Sequence, residues 1–233
     1  MKREHSNLIN RINDFLTPNW LRDNYFITNI LYRIAFGKSG KIIVNFRDNA
    51  PNINHKELRH YYQILSNNGV NSRKTDCTEK SIRKILKLIK GKTVADISCG
   101  TGYLIKRISR TNKYSTTGVD FNIGRKLLNH GKINFVKADI HDLPFRDNSF
   151  DTVISTHTLE HSTNIIQAIS ELRRITKRRL IIVIPKQRPY RFTPDLHLHY
   201  FPYWYSVNNI FIYKRTRPYR LIDLGGDWLY FEG

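Results

Sequence analysis

The sequence predicts an α/β fold built on a doubly wound, mostly parallel sheet. Short apolar runs rich in isoleucine and valine alternate with segments whose apolar residues recur at helical spacing. Repeated strand–helix–strand units connect with right-handed crossovers and cover both faces of one sheet. The chain has 233 residues, 40% of them hydrophobic, so it is long enough to bury a core of that kind.

The regular alternation begins just after Thr78. Apolar residues at helical spacing from Ile82 to Ile89, followed by Gly91 as a stop, predict a helix over about 79–90. Five strands are predicted after it, over residues 93–97, 114–120, 134–138, 150–155 and 180–184. Helical segments are predicted between them, beginning near residue 103 and spanning 125–130 and 163–176.

The first 75 residues are predicted to form a helical extension or lid before a domain that spans 76–233. Amphipathic stretches at 8–16 and 20–36 indicate helices, and the run Lys41–Phe46 is typical of a short strand. The first residues are polar, and no apolar run approaches the roughly 20 residues that cross a bilayer. Neither secretion nor a membrane span is therefore expected.

The segment 187–233 is rich in aromatic residues and proline. Two β-like runs, Asn209–Lys214 and Arg220–Leu224, predict a β-hairpin that closes the sheet. The segment is assigned as a substrate region, but its remaining aromatic residues could form a substrate pocket, stack on nucleobases or make a core, and a core is the simplest of these interpretations. On a strand, His197 and His199 would project from the same face.

The chain is strongly basic, with 39 lysines and arginines against 19 acidic residues and a formal net charge of +20. Such a charge attracts polyanions, whether nucleic acid, an anionic membrane surface or a phosphorylated substrate. The densest basic group, Arg173–Arg179, lies at the end of a predicted helix, where cations also suit the helix dipole. Only Cys77 and Cys99 are present, too few for a disulfide framework, so a reducing, cytoplasmic setting is expected.

The sharpest motif, Asp96-Ile-Ser-Cys-Gly-Thr-Gly102, follows the first predicted strand. Its two glycines let the backbone turn tightly and approach a ligand closely. Ile105 replaces the third glycine of a dinucleotide-binding fingerprint, and no P-loop lysine follows. Asp120 and Asp139 end the next two strands, so three carboxylates would line one crevice and face a cation or ligand hydroxyls and amines. Each aspartate alone can equally be a helix cap or turn former.

The stretch of about residues 78–186 resembles the class I S-adenosylmethionine-dependent methyltransferases. Their first motif is an acidic residue followed by Gly-x-Gly-x-Gly, and here Ser98 stands in place of the first glycine. The segments Asp139–Phe145 and Ser149–Ser155 are similar to the ends of the family's third and fourth strands. The resemblance implies a seven-stranded Rossmann-like sheet and S-adenosyl-L-methionine as the cofactor.

The resemblance also implies roles for individual residues. Asp96 and the glycine turn would border the methionine part of the cofactor, Asp120 would bind the ribose hydroxyls, and Asp139 with Ile140 would hold the adenine. The complete implied set of cofactor-binding residues is Asp96, Ser98, Gly100, Gly102, Asp120, Phe121, Asp139, Ile140, Ser155 and His157.

Histidines are the candidates for the general base that methyl transfer to a hydroxyl group needs. The predicted catalytic residues are His157, beside the crevice, and His197 and His199 in the aromatic segment. The last two can equally pack under the C-terminal hairpin. His157 and His161 fit the H-x-x-E-H zinc-protease pattern, but they follow a buried strand and no third ligand is evident, so no metal site is predicted.

The sequence favours a methyltransferase that acts on a small-molecule, saccharide (glycan) or lipid-linked acceptor at oxygen. A nucleic-acid (RNA) methyltransferase that uses the basic surface is an open alternative. It would act on ribose or a ring nitrogen, because Ser155-Thr-His-Thr replaces the Asn/Asp-Pro-Pro-aromatic segment typical of exocyclic-amine methylation, and neither cysteine follows a proline. A second alternative is a non-catalytic binding module that lost turnover through Ser98.

Overall fold

The computed structural model describes residues 18, 20, 24–37, 39–67, 74–128, 131–189, 191–192 and 195–233. The chain divides into two compact units, one comprising Met1–Arg73 and Arg188–Leu198 and the other Lys74–Gln187 and His199–Gly233. Among the described residues, no helix has both the length and the apolar character needed to cross a membrane.

Among the described residues, helices come first along the chain, and strands join them from Thr93 onward. The helices are α1 (Tyr25–Phe36), α2 (Ser39–Asn49), α3 (His55–Asn67), α4 (Glu79–Leu88), α5 (Tyr103–Ser109), α6 (Arg125–Leu128), α7 (Ile165–Ile175) and α8 (Trp204–Phe211). The strands are β1 (Thr93–Ile97), β2 (Ser115–Asp120), β3 (Asn134–Lys137), β4 (Phe150–Thr156), β5 (Thr176–Pro185), β6 (Tyr219–Asp223) and β7 (Asp227–Glu232). Short 3₁₀ helices occupy Ala50–Asn52 and Leu159–His161.

The larger unit is built on one seven-stranded sheet with the order β3-β2-β1-β4-β5-β7-β6. Strands β1 to β5 run parallel, and β7 pairs antiparallel with both β5 and β6. The predicted α/β fold with a mostly parallel seven-stranded sheet is therefore confirmed. β1 lies between β2 and β4, and the chain order reverses there, which opens a crevice at the carboxyl ends of these strands.

Helices cover both faces of this sheet because side chains alternate along its buried strands. Ala95 and Ile97 belong to the apolar cluster that contains Leu172 of α7. Val94 belongs to the cluster on the other face, with residues of α4 and α5 such as Ile85. All five residues are essentially inaccessible to solvent, so the site-bearing ends of the strands rest on a rigid core.

The smaller unit contains α1, α2 and α3. Its apolar cluster includes Ile43 and Phe46 of α2 and Leu58 and Leu65 of α3. The predicted strand Lys41–Phe46 is wrong, because these residues lie inside α2. Burial of one helical face outweighs the strand preference of the β-branched residues in this run. The predicted stretch 8–16 lies outside the described residues.

The C-terminal hairpin is present but its strands differ from the prediction. Residues Asn209–Phe211 belong to α8, so the predicted strand Asn209–Lys214 is wrong. Val207 and Phe211 are one helical turn apart and fully buried, which favours a helix on the sheet. The hairpin instead joins β6 to β7 through the turn at Gly225, a residue with a φ of 95°.

Candidate active site

The glycine turn connects β1 to α5 at the carboxyl end of the sheet. Three of its residues have left-handed backbone conformations, with φ values of 61° at Ser98, 52° at Gly100 and 72° at Gly102. Glycine adopts this conformation without strain, whereas the Cβ of serine makes it unfavourable. Gly102 is the N-cap of α5, so the turn delivers backbone N–H groups to the crevice.

Asp120, at the end of β2, holds this turn in place. Its Oδ2 accepts a 2.8 Å hydrogen bond from the backbone nitrogen of Gly100, and its Oδ1 accepts a 2.9 Å bond from that of Asn122. The backbone nitrogen of Cys99 also donates to the carbonyl of Val119 at 2.9 Å. The predicted proximity of the first two strand ends is therefore observed.

Asp96 is the most buried carboxylate of the crevice, with 1% of its surface exposed. Its Oδ1 has no hydrogen-bond partner among the described residues. Burial, and then the negative charge of Asp120, raise the pKa of Asp96 to about 8, against a backbone hydrogen bond from Ile105. Burial also raises the pKa of Asp120. Two buried carboxylates in proximity favour the binding of a cationic group.

Asp139 lies two residues beyond β3 and makes a different set of contacts. Its Oδ1 accepts a hydrogen bond from the backbone nitrogen of His141 at 3.0 Å and lies 2.7 Å from Nδ1 of the same residue. Nε2 of His141 lies 2.7 Å from Oγ of Ser162. Sequence analysis missed His141 and Ser162, since their spacing of 21 residues carries no local signal. The adjacent Ile140 is buried in the core.

Two further predicted residues lie at the same strand ends. Phe121 follows β2 directly and is half-buried. Ser155 lies near the end of β4, with 1% of its surface exposed, and its Oγ has no hydrogen-bond partner among the described residues. Ser155 pairs with Ile97 in the sheet, whereas Asp96 pairs with Ile154. The side chains of Ser155 and Asp96 therefore point to opposite faces of the sheet.

His157 follows β4 and has a left-handed φ of 50°. Its Nδ1 lies 3.5 Å from Oε1 of Glu160, and its Nε2 lies 3.6 Å from Oδ1 of Asp227. Both carboxylates are buried, and the other oxygen of Asp227 accepts a 3.0 Å hydrogen bond from Oγ of Ser81. His157 is thus enclosed by two acids. Glu160 is the acid of the H-x-x-E-H pattern, whereas Asp227 was missed because it is 70 residues away in the chain.

His199 and His197 do not share a strand, so the predicted common face is wrong. Residues 195–203 contain no strand. In the larger unit, the backbone nitrogen of His199 donates to the carbonyl of Glu160 at 3.0 Å, and its Nε2 lies 2.8 Å from the carbonyl of Ser162. Burial lowers the pKa of His199. His197 belongs to the smaller unit, where its carbonyl accepts a bond from Arg47.

The H-x-x-E-H segment does not form the α-helix that the zinc-protease pattern requires. Leu159–His161 is a 3₁₀ helix of a single turn. His161 lies beside Glu160, with 3.9 Å between Nε2 and Oε1. The sequence pattern therefore has a different backbone geometry from a metalloprotease site.

Comparison with known proteins shows which proteins this domain is similar to. Residues 95–184 match the family model described as a methyltransferase domain. The 2-phytyl-1,4-naphtoquinone methyltransferase of Trichormus variabilis is 35% identical over 100 residues, which cover 37% of this chain and 43% of that protein. The ubiquinone/menaquinone biosynthesis C-methyltransferase UbiE of Hahella chejuensis is 41% identical over 98 residues, covering 37% of this chain and 39% of that one.

Solved structures show the same fold. A SAM-dependent methyltransferase from Aquifex aeolicus superposes with a TM-score of 0.53 and 19% identity, over 65% of this chain and 88% of its own. The chain spans about two fifths of the length of the curated relatives that it matches. The sheet, the glycine turn and the strand-end carboxylates are the features expected of a class I S-adenosylmethionine-dependent methyltransferase domain. Residues 95–184 are the part of the chain that is similar to that family.

The cofactor of this family is S-adenosylmethionine, which carries an ammonium group, a sulfonium and ribose hydroxyls. The residues of the crevice fit such a ligand. Asp96 offers a buried oxygen that lacks a partner among the described residues. A cation there would offset the electrostatic repulsion between Asp96 and Asp120. Apart from its chain neighbours, no atom of the described residues lies within 4 Å of the position that a Cβ on Gly100 would take, so the turn is open to a ligand.

Proposed function

We propose that this protein is a methyltransferase that transfers the methyl group of S-adenosylmethionine to a small-molecule acceptor. The observation that carries the proposal is the pair of buried carboxylates, Asp96 and Asp120, at a glycine turn inside a methyltransferase-family domain. When bound, the cofactor supplies an electrophilic methyl group on a sulfonium. The protein then has to bind, orient and desolvate the reactants.

The proposed cofactor contacts follow from the donors and acceptors of the crevice. Asp120 is an acceptor-only group and suits a pair of ribose hydroxyls, while its bond to Gly100 fixes its orientation. Asp96 would face the cationic end of the cofactor. The turn from Gly100 to Gly102, which is open at Gly100, would admit the methionine part. Asp139 with Ile140 would border the adenine.

The acceptor side would lie near the segment after β4. Two of the predicted catalytic histidines, His157 and His199, lie in the larger unit, and His199 is the better proposed base. Its Nε2 bonds the Ser162 carbonyl, which can only accept, so Nε2 carries the proton and the other ring nitrogen is basic. The lowered pKa of His199 keeps it neutral near pH 7, as a base requires. His157 faces two carboxylates, so we propose for it a role in orienting this segment.

The acceptor class is proposed from the relatives. Two of them are named for a phytyl-substituted naphthoquinone or for quinone biosynthesis, so we propose a ring-containing, lipid-linked small molecule. We propose oxygen as the acceptor atom because methyl transfer to a hydroxyl group needs a general base, and His199 can serve as one. The relative named a C-methyltransferase makes carbon the competing atom. If the acceptor is dissolved in a membrane, attraction of this basic protein to anionic lipid would bring the enzyme to its acceptor.

The direct test is to incubate the protein with methyl-labelled S-adenosylmethionine and a panel of acceptors. The panel holds a prenylated naphthoquinol, a short-chain quinol, a catechol and a glycan. We expect label in an extractable small molecule and none with Asp120→Ala, and NMR of the product would distinguish O-methyl from C-methyl. Label in none of these acceptors, with a protein that binds the cofactor, would overturn the small-molecule proposal.

Nucleic-acid methylation is the second candidate, because basic and aromatic side chains are interleaved near β6. The guanidinium of Arg215 lies 3.7 Å from the ring centre of Tyr219, and Nζ of Lys214 lies 5.5 Å from that of Tyr213. Exposed aromatic rings beside cations can stack on nucleobases. Adding structured and single-stranded RNA to the same assay tests this candidate, with Tyr213→Ala as the variant expected to reduce RNA labelling only.

A further inference from the structure

Helix α1 of the smaller unit exposes a row of large apolar side chains. Phe26, Ile30 and Ile34 are spaced four residues apart, so they lie along one face of the helix. Their exposed fractions are 77%, 60% and 79%. Leu31, three residues before Ile34, is also exposed and widens this face. These four residues form an apolar stripe along the helix, and exposed patches of this kind mark surfaces that bind a partner.

The opposite face of α1 makes the contacts with the rest of the smaller unit. Thr28 is buried, and the rings of Tyr32 and Phe36 pack against the apolar cluster of α2 and α3. The hydroxyl of Tyr32 donates to the carbonyl of Phe192 at 3.3 Å. A surface helix of a globular protein usually buries its most apolar face. In α1 the arrangement is reversed, so the apolar stripe contributes little to the packing of the unit and is available to a partner.

The charge around the stripe favours an anionic partner. From Asn24 to Arg47 the sequence contains four basic residues and no acidic one. Arg33 follows Phe26 by seven residues, which is two helical turns, so it lies at the edge of the stripe. Arg33 and Lys41, in α2, are both exposed. Aromatic and aliphatic side chains on one face with cations beside them are typical of a helix that lies in the plane of a membrane surface.

Two other occupants fit the stripe less well. Nucleic acid would match the positive charge, but its phosphates and sugars offer little apolar surface to a row of isoleucine and phenylalanine side chains. A second copy of this chain would cover the apolar side chains, but it would bring together two chains with a formal net charge of +20 each. An anionic bilayer matches both the charge and the apolar surface.

We propose that α1 is an in-plane membrane helix, whose apolar stripe inserts among the lipids of an anionic bilayer. Arg33 and Lys41 would lie at the level of the lipid phosphates. This inference names the surface for the proposed contact with anionic lipid. It rests on α1 and its charges, and it does not depend on the identity of the methyl acceptor.

The test measures binding of the full chain to lipid vesicles by co-sedimentation. The vesicles consist of phosphatidylcholine alone or of phosphatidylcholine and phosphatidylglycerol in equal parts, at low and at high salt. The double variant Phe26→Ser with Ile34→Ser removes two side chains of the stripe without a change of charge. The matched control is Trp204→Ser with Ile212→Ser at the two ends of α8, because these side chains are also exposed, by 61% and 54%.

We expect the wild type to bind the anionic vesicles and to retain part of that binding at high salt, which screens charges but leaves apolar contacts in place. The partition coefficient of the α1 double variant should fall about tenfold or more, because two large apolar side chains no longer insert. The α8 control should bind like the wild type. Ile34→Ser alone should produce a smaller loss and serves as the second variant if the double variant does not fold.

Several results would overturn the inference. They are equal vesicle binding by the wild type and the α1 variant, equal losses in the α1 variant and the α8 control, and no binding by a folded wild type. Self-association that the α1 variant abolishes, without vesicle binding, would assign the stripe to a second copy. RNA binding with the same pattern would assign it to nucleic acid.

Calorimetric titration with S-adenosylhomocysteine separates this inference from the proposed function. The α1 double variant should bind this compound as tightly as the wild type, because α1 belongs to the smaller unit and the glycine turn to the larger one. A wild type that binds vesicles but not the compound would overturn the proposed cofactor role alone. A wild type that binds the compound but not vesicles would overturn the membrane helix alone.

Discussion

The carboxylate of Asp120 accepts a 2.8 Å hydrogen bond from the backbone nitrogen of Gly100, which ties the end of β2 to the turn after β1. The same side chain accepts from Asn122. One buried residue thus organises the turn, and its remaining acceptor sites are those that we propose for the ligand. Because Asp120 holds the turn, the stability of the free protein depends on a residue that we also propose to bind the cofactor.

Replacement of Asp120 by alanine should destabilise the unliganded protein. The backbone N–H groups of Gly100 and Asn122 lose their acceptor, and a partly buried hydrogen bond contributes about 0.5–1.5 kcal/mol. Chemical denaturation measures the change. Asp147→Ala is the matched control, because its side chain is 72% exposed and its ion pair with Arg174 lies on the surface, so a change within about 0.5 kcal/mol is expected. Equal stability of the two variants would refute the organising role.

Ser98→Gly should stabilise the protein and improve cofactor binding. Ser98 has a φ of 61°, a conformation that costs residues with a Cβ about 1–2 kcal/mol. Glycine removes that strain, although greater freedom of the unfolded chain offsets part of the gain. Thermal unfolding and calorimetric titration with S-adenosylhomocysteine measure the two effects. A glycine variant that is less stable than the wild type would show that the serine hydroxyl contributes a contact in the folded state.

The burial of Asp96 should appear in the pH dependence of stability. Its pKa is raised from 3.8 in the unfolded chain to about 8, so the folded protein holds a proton that the unfolded chain releases. The contribution of this proton to the free energy of unfolding is fully present below about pH 4. It is lost as the pH rises to about 8, at up to about 1.4 kcal/mol per pH unit. Asp96→Asn should therefore gain stability over the wild type across this window. A difference in stability between Asp96→Asn and the wild type that stays constant with pH would contradict the raised pKa of Asp96.

His157 should contribute more to stability than a solvent-facing catalytic base would. Its ring lies between the buried carboxylates of Glu160 and Asp227, at 3.5 and 3.6 Å. Removal of the ring takes a polar neighbour away from two buried carboxyl groups, which costs about 1–3 kcal/mol. His157→Ala should show a loss of this size in denaturant unfolding, and His157→Gln should recover part of it. A fully stable alanine variant would show that the two acids do not depend on the ring as a polar neighbour.

The local parts of the fold could be predicted from the sequence. β1, the glycine turn and the start of α5 were placed correctly because a short apolar run and two left-handed glycines specify them within about ten residues. The ends of β2 and β3 near Asp120 and Asp139 followed from the same pattern. At each of these places the local sequence preference and the burial of apolar side chains favour the same secondary structure.

The remaining elements depend on distant partners. α2 contains a β-like run, and Gly40 at its start lies so close to the Tyr32 carbonyl that a Cβ would collide with it. Packing of this kind leaves no periodic trace in the sequence. β7 was missed because it forms only by pairing between β5 and β6.

The site shows the same division. The strand-end acids were identified because topology alone brings the ends of adjacent parallel strands together. Asp227 and Ser162 were missed, since their contacts with His157 and His141 join segments that only the folded sheet brings together.

The most direct test of the proposed function is calorimetric titration of the folded protein with S-adenosylmethionine, beside Asp120→Asn. We expect saturable one-to-one binding in the wild type. The variant keeps a similar shape but loses the charged acceptor, so its affinity should fall about 5- to 150-fold, equivalent to about 1–3 kcal/mol. Absence of saturable heat from a wild type shown to be folded would contradict the assignment of this crevice as a cofactor site.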